Sequence, residues 1–145
     1  MSNELIFITG ATGFIGSATA VEALKAGYRL RVCLRRPSEQ LQTLLSDYSD
    51  QVEFVIVPDL TDEAAFDGKL NGVDYVLHLA SPLPHGTDKQ SYFSPALKGT
   101  TAILKAAAKV PTIKKVVVTS SIAALIPMSG IPTGGVVKGI SYPAF

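Results

Sequence analysis

Three glycines spaced three residues apart lie near the N-terminus, in the run Thr9-Gly10-Ala11-Thr12-Gly13-Phe14-Ile15-Gly16. Glycine adopts the positive φ of a tight strand-to-helix turn without steric cost, and its missing Cβ lets the backbone approach a pyrophosphate. The N–H groups and dipole of the following helix also favour a phosphate. A turn without a ligand could use the same glycines, but the flanking strand and helix favour a dinucleotide site. The residues predicted to contact the cofactor here are Gly10, Thr12, Gly13, Phe14, Ile15 and Gly16.

Two adjacent arginines, Arg35 and Arg36, follow the second predicted strand. In folds that prefer NAD, an acidic residue about 20 positions beyond the glycines bonds the ribose 2′-hydroxyl. Arg35 lies 19 residues after Gly16, and no acidic residue occurs between Leu30 and Ser38. Because a guanidinium can hold a phosphate with two hydrogen bonds, the sequence predicts NADP(H) rather than NAD(H). The alternative is that both arginines are ordinary solvated charges.

Short apolar runs predict the strands that would position the glycine turn and the two arginines. They are rich in Val, Ile and Leu and do not alternate with polar residues, as expected for strands of a parallel sheet covered on both faces. The predicted strands are Leu5–Thr9 and residues 30–34, 52–57, 73–79 and 116–120.

Amphipathic stretches separate the strands and predict helices. One apolar stripe (Phe14, Ala18, Val21 and Leu24) is followed by Gly27 as a C-terminal cap, and a second (Ala96, Thr100, Ile103, Leu104 and Ala107) precedes Pro111. Shorter helices are predicted near residues 38–46 and 62–66. The alternation predicts an α/β fold, a Rossmann-type doubly wound parallel sheet of order 3-2-1-4-5, truncated after the fifth strand.

Composition limits the classes of protein that the chain can represent. The 145 residues are 47% hydrophobic and 17% charged with a net charge of +1, which fits one globular domain and excludes the basic face of a nucleic-acid binder. The single cysteine, Cys33, allows no intramolecular disulfide. No signal-peptide pattern is found, and no apolar run approaches the roughly 20 residues of a membrane helix. We therefore expect a cytoplasmic protein without a membrane or nucleic-acid partner.

The last part of the chain differs in pattern from the rest. Residues 122–145 are interrupted by Gly and Pro and show neither the helical nor the strand period. The sequence therefore predicts a cofactor-binding domain over residues 1–124 and an irregular tail over residues 125–145.

The residues around the turn resemble the TGxxGxxG signature of the extended short-chain dehydrogenase/reductase superfamily, which is NAD-dependent epimerase/dehydratase-like. Further motifs resemble its branch of dihydroflavonol reductases, cinnamoyl-CoA reductases and fungal ketone and aldehyde reductases. The resemblance covers the N-terminal portion of such proteins, from Leu5 to about Ala124. It implies that Arg35 holds the 2′-phosphate, that Asp59 and Leu60 contact the adenine, and that residues 95–100 begin a helix. It also places Leu79, Ala80 and Ser81 beside the nicotinamide ribose. Thr119, at the end of the fifth predicted strand, is predicted to contact the cofactor as well.

The same resemblance implies hydride transfer between NADP(H) and a small-molecule carbonyl, with a Ser-Tyr-Lys set moving the proton. Ser121 matches the serine best, and Ser120 is the second choice. The Tyr-x-x-x-Lys pattern is missing, because Tyr142 has no lysine four residues beyond it. We expect this chain alone to be inactive and the activity to belong to a longer parent. A non-catalytic NADP(H)-sensing module that acts through a partner protein remains an alternative.

Other residues are predicted to have structural roles. No metal site is expected from His78 and His85; His78 is predicted to be a buried, hydrogen-bonded residue beside the cofactor segment, and Cys33 a core residue. The fifth strand is predicted to expose Val116, Val118 and Ile122, so self-association through this edge is expected.

Overall fold

The structure is a computed structural model that describes residues 3–82 and 89–121 of the chain. Five parallel strands form one sheet in the order β3-β2-β1-β4-β5, which confirms the predicted doubly wound α/β fold. The strands are β1 (Leu5–Thr9), β2 (Arg29–Leu34), β3 (Val52–Ile56), β4 (Tyr75–His78) and β5 (Lys115–Val118).

The predicted fourth and fifth strands are too long. Val73 belongs to a turn, in which its N–H donates to the carbonyl of Leu70, and Leu79 leaves β4 after donating to the carbonyl of Thr9. The last strand residue of β5 is Val118, so Ser120 lies beyond the sheet. Apolar character continues past both strands, and for this reason it does not mark where the hydrogen-bonded ladder stops.

Helix α1 (Phe14–Lys25) begins directly after the glycine turn. The helix ends at Lys25, and Gly27 follows it as the predicted cap, with a φ of +90° that glycine readily adopts. The N–H of Gly27 donates to the carbonyl of Leu24, and the N–H of Tyr28 donates to that of Ala23, which is the pattern of a Schellman motif.

The predicted apolar stripe of α1 is correct in its second half only. Leu24 is buried and Val21 packs against the core, as predicted, whereas Phe14 and Ala18 are exposed. The other buried residues of the helix are Gly16 and Ala20. The helix approaches the sheet and the turn through small residues, and this close approach leaves the larger Phe14 outside. A pattern based on hydrophobic size cannot predict a face built from glycine and alanine.

Two further helices follow. Helix α2 (Glu39–Leu44) is capped by the Ser38 hydroxyl, which accepts a hydrogen bond from the N–H of Leu41, and 3₁₀ turns cover Ser46–Tyr48 and Glu63–Phe66. Helix α3 (Lys89–Ala108) begins six residues before the predicted start and has Pro95 inside it. The resemblance placed the start of this helix at Pro95, whereas the first turns of α3 precede the proline.

A core layer lies on each face of the sheet. One contains Phe7, Val76 and the small residues of α3, and the other contains Ile8, Val32 and the buried residues of α1 and α2. Cys33 is buried at 5% exposure, which confirms the predicted core role. Leu104, although part of the predicted α3 stripe, is 43% exposed. The predicted tail of residues 125–145, with Tyr142, and the residues His85 and Ile122 lie outside the described part of the chain.

Candidate functional site

The predicted site residues follow the carboxyl ends of the strands. Gly10 follows β1, Arg35 follows β2, Leu79 follows β4 and Thr119 follows β5. Because the carboxyl ends of parallel strands meet at one edge, the structure brings these positions to the same edge of the sheet. The chain reverses its strand order between β1 and β4, and ligands of open α/β sheets bind at such a point.

Two glycines are required by the geometry of the turn. Gly10 has a φ of +78°, and a Cβ added to it would lie 2.6 Å from the backbone nitrogen of Ala80. A Cβ on Gly16 would lie 2.0 Å from the carbonyl oxygen of Gly10. The turn, the start of α1 and the segment after β4 therefore pack backbone against backbone, which larger residues would prevent.

The N-terminus of α1 offers hydrogen-bond donors. Gly13 caps the helix without a side-chain hydrogen bond, and its own N–H donates to the carbonyl of Gly10 at 3.0 Å. The next N–H groups, of Phe14, Ile15 and Gly16, precede the first intrahelical bond, from Ser17 to Gly13. These three donors and the positive end of the helix dipole suit a phosphate.

Exposed side chains surround the same turn. Phe14 is 95% exposed and Ile15 is 62% exposed, while Thr12 is also exposed. Exposed large apolar residues next to a polar turn often mark a ligand or protein contact.

The two arginines after β2 are exposed side chains. Within the described residues, neither Arg35 nor Arg36 makes a hydrogen bond or an ion pair. Arg31 of the same strand is different, because its Nε donates to Glu53 Oε1 at 2.7 Å. The guanidinium groups of Arg35 and Arg36 can therefore bind an anionic ligand at this edge of the sheet without breaking an existing contact.

Asp59 and Leu60 lie in the loop after β3. Asp59 Oδ1 accepts hydrogen bonds of 2.8 Å from both the backbone N–H and the hydroxyl of Thr61, and these bonds lower the pKa of Asp59. Leu60 lies against Gly99 of α3, where an added Cβ would be 3.8 Å from the Leu60 carbonyl oxygen. The loop is thus held in place by its own turn and by α3.

His78 is buried at the end of β4, as predicted. Its Nδ1 lies 2.8 Å from Thr9 Oγ1, which also accepts a hydrogen bond of 3.2 Å from the N–H of Ala80. Burial lowers the pKa of His78. The sequence analysis did not predict Thr9 as its partner. The signal was present, because Thr9 and His78 are the last residues of neighbouring strands and pair in register.

The residues after β5 complete the edge. The N–H of Thr119 donates to the carbonyl of His78 at 3.0 Å, and Thr119, Ser120 and Ser121 are all exposed. Ser81, beyond the end of β4, is exposed as well.

No group of three His, Cys, Asp or Glu side chains able to hold a metal occurs within residues 3–82 and 89–121. Over the same ranges, no helix is both long and apolar enough to span a membrane.

These features fit a dinucleotide. The turn admits a close backbone approach, the N–H groups at the start of α1 suit a phosphate, and a guanidinium without a partner among the described residues follows the neighbouring strand. A sheet of this topology with a glycine turn at the reversal point defines a Rossmann-type α/β domain.

Comparison of the sequence with protein families agrees with this class. The family model described as the NAD dependent epimerase/dehydratase family matches residues 6–138, and the chain belongs to this family. Ketoreductase sphI of Aspergillus fumigatus is 68% identical over 138 residues, which are 95% of this chain and 41% of the relative. Aldehyde reductase 2 of Sporidiobolus salmonicolor is 34% identical over 132 residues, covering 88% of this chain and 38% of the relative.

Solved structures show the same fold. Gre2 of Candida albicans in complex with NADPH is 30% identical with a TM-score of 0.75, over 87% of this chain and 39% of that one. The chain thus spans about two fifths of the length of the curated relatives that it matches.

Proposed function

We propose that the chain is the NADP(H)-binding portion of an oxidoreductase that reduces a ketone or an aldehyde. The observation that carries this proposal is the glycine turn at the strand reversal, with three N–H donors at the start of α1. The NADPH complexes among its structural relatives and the family membership support it.

Each part of the cofactor has a proposed set of contacts. The pyrophosphate lies on Gly10, Thr12, Gly13, Phe14, Ile15 and Gly16. Arg35, with Arg36 beside it, holds the 2′-phosphate, and Asp59 and Leu60 border the adenine. Leu79, Ala80, Ser81 and Thr119 border the nicotinamide ribose. The bound nicotinamide supplies the hydride that the reduction of a carbonyl needs.

The proposed reduction belongs to a longer protein. Ser121, or Ser120 as the second choice, would donate a hydrogen bond to the carbonyl oxygen of the substrate. None of the five tyrosines in the chain is followed four residues later by a lysine. We therefore propose that the chain binds the cofactor and that turnover needs a proton donor from elsewhere in the parent protein.

We also propose a cytoplasmic location, with which the buried free thiol of Cys33 is consistent.

A second copy of the chain is the proposed partner at the β5 edge. Val118 is 39% exposed, as predicted, whereas Val116 packs partly buried against the core and Val117 is 48% exposed instead. β5 is the last strand on its side of the described sheet. An edge strand with exposed apolar side chains presents unpaired backbone groups that another strand can pair with. Neither a nucleic acid nor a membrane is proposed as a partner.

Competition with the fluorescence of NADPH tests the proposed binding. Adding the chain should change the emission of NADPH, and adenosine 2′,5′-bisphosphate should reverse the change at concentrations where 5′-AMP does not. This difference is expected because only the bisphosphate carries the 2′-phosphate that Arg35 is proposed to hold. Emission that is unaffected by the chain would overturn the proposal.

A further inference from the structure

His78 is a buried polar residue that the proposed cofactor contacts do not use. Its side chain is 3% exposed, and Nδ1 lies 2.8 Å from the hydroxyl oxygen of Thr9, which is fully buried. A buried polar pair of this kind is stabilising only while both partners remain hydrogen-bonded. Removing either side chain would therefore leave the other buried without this hydrogen bond.

The Thr9 hydroxyl connects His78 to the segment that leaves β4. It accepts a hydrogen bond of 3.2 Å from the N–H of Ala80, two residues beyond His78. The backbone adds a parallel connection, because the N–H of Leu79 donates to the Thr9 carbonyl at 3.2 Å. The exit of β4 is thus tied to the last residue of β1 by both the side chain and the backbone of Thr9.

The glycine turn begins one residue after this connection. The backbone of Gly10 lies so close to the β4 exit that an added Cβ would be 2.7 Å from the carbonyl carbon of Leu79 and 2.6 Å from the nitrogen of Ala80. A displacement of Ala80 therefore has to displace the turn. The N–H of Gly13 donates to the carbonyl of Gly10, and this hydrogen bond connects the turn to the start of α1. A displaced turn therefore also displaces the N–H donors of α1.

We propose that His78 is a positioning residue of the dinucleotide site: through the hydroxyl of Thr9 it holds the Gly10 turn and the Leu79–Ala80 segment at the separation that NADP(H) requires. This inference rests on the proposed NADP(H) binding. It differs from a purely structural role, in which loss of the hydrogen bond lowers stability but leaves the affinity of the folded protein unchanged.

The experiment compares Thr9→Val with a matched control. Valine keeps the branched shape of threonine and removes the hydroxyl. Thr112→Val also removes a hydroxyl with an internal hydrogen bond, of 2.8 Å to the carbonyl of Val73, but on an exposed threonine and before the start of β4, away from the turn. Calorimetry measures the Kd of NADPH for both variants and for the original chain, and thermal melting measures stability.

We expect Thr9→Val to raise the Kd of NADPH by about tenfold and Thr112→Val to leave it unchanged, although both lower the melting temperature. Thr9→Ser, which keeps a hydroxyl, should restore the Kd to within about threefold. His78→Asn removes the imidazole ring and leaves the Thr9 hydroxyl in place. We expect it to weaken NADPH binding as Thr9→Val does.

Amide hydrogen exchange in the free chain gives a readout that does not depend on binding. Thr9→Val should speed exchange at Ala80, Gly10 and Gly13 more than at the amides of β2 and β3. If the original chain binds no NADPH, the proposed function fails, and the exchange data still decide whether His78 and Thr9 hold the turn. Unchanged affinity together with unchanged exchange at the turn in both Thr9→Val and His78→Asn would overturn the inference.

Discussion

At the scale of single residues, Arg35 carries the proposed choice of cofactor. Its guanidinium is exposed and has no partner among the described residues, so no existing contact has to break before it holds a phosphate. Arg36, beside it, is exposed in the same way. The proposed preference for NADP(H) therefore depends on side chains that make no hydrogen bond or ion pair within the described fold.

Replacing Arg35 with alanine should separate the two cofactors. We expect Arg35→Ala to raise the Kd of NADPH by about 10- to 100-fold, the range expected for a lost charged hydrogen bond, and to change that of NADH by less than about threefold. Arg29→Ala, at the opposite end of β2, is the control and should change neither Kd. Equal losses for both cofactors would contradict the assigned role.

The pH dependence of stability should report His78. Its pKa is lowered from the ordinary value of 6.5 because burial disfavours the charged ring. The unfolded chain then binds more protons than the folded chain between the two pKa values, so stability is full above pH 6.5 and falls as the pH decreases through that interval. Urea unfolding from pH 8 to pH 5 should show this loss in the original chain and a smaller loss in His78→Asn. Identical profiles would show that His78 is not the group responsible.

At the scale of the elements, the approach of α1 to the turn depends on Gly16. Gly16→Ala would place a methyl group 2.0 Å from a backbone oxygen that has no room to move, and we expect a loss of about 2–3 kcal/mol in the free energy of unfolding. Gly72→Ala is the control, because Gly72 has a φ of +72° but no atom within 4 Å of an added Cβ. It should lose about 1 kcal/mol, from backbone strain alone. Urea denaturation measures both, and equal losses would contradict the proposed close contact.

The sequence predicted the order of the strands and the location of the turn because both depend on local patterns. Continuous apolar runs such as Leu5–Thr9 mark buried parallel strands, and glycine spacing marks the turn. The buried faces of α1 and α3 were predicted only in part. Leu24, Ile103 and Ala107 are buried as predicted, whereas Phe14, Ala18 and Leu104 are exposed. Glycine and alanine pack α1 against the sheet, so hydrophobic size does not indicate which of its faces is buried. The partner of His78 depends on which residue ends the neighbouring strand, and this is a property of the sheet register rather than of a local motif.

The ion pairs of Lys114 are a second example of contacts that local sequence patterns do not predict. At the amino ends of the strands, Lys114 lies 2.8 Å from Glu4 and 2.9 Å from Asp74, residues that are far apart in the chain. These carboxylates raise the pKa of Lys114, and no spacing rule connects the three positions. Contacts of this kind follow from the topology only after the strand order is known.

At the scale of the whole molecule, the β5 edge is the proposed surface for a second copy. Val117→Lys places a charge on the exposed edge and should shift the chain from dimer towards monomer in sedimentation velocity, because charged side chains on an edge strand oppose pairing. Ile56→Lys makes the same change on β3, the opposite edge strand, and should leave the association state unchanged. An original chain that is monomeric at all concentrations would contradict the proposal.

We propose above all that this chain binds NADP(H) through the glycine turn and Arg35. Calorimetric titration of the chain with NADPH and with NADH, in the same buffer and at the same salt concentration, tests it most directly. We predict one binding site per chain and a Kd for NADPH at least about tenfold lower than that for NADH. Equal affinities, tighter binding of NADH, or no binding of either cofactor would contradict the account.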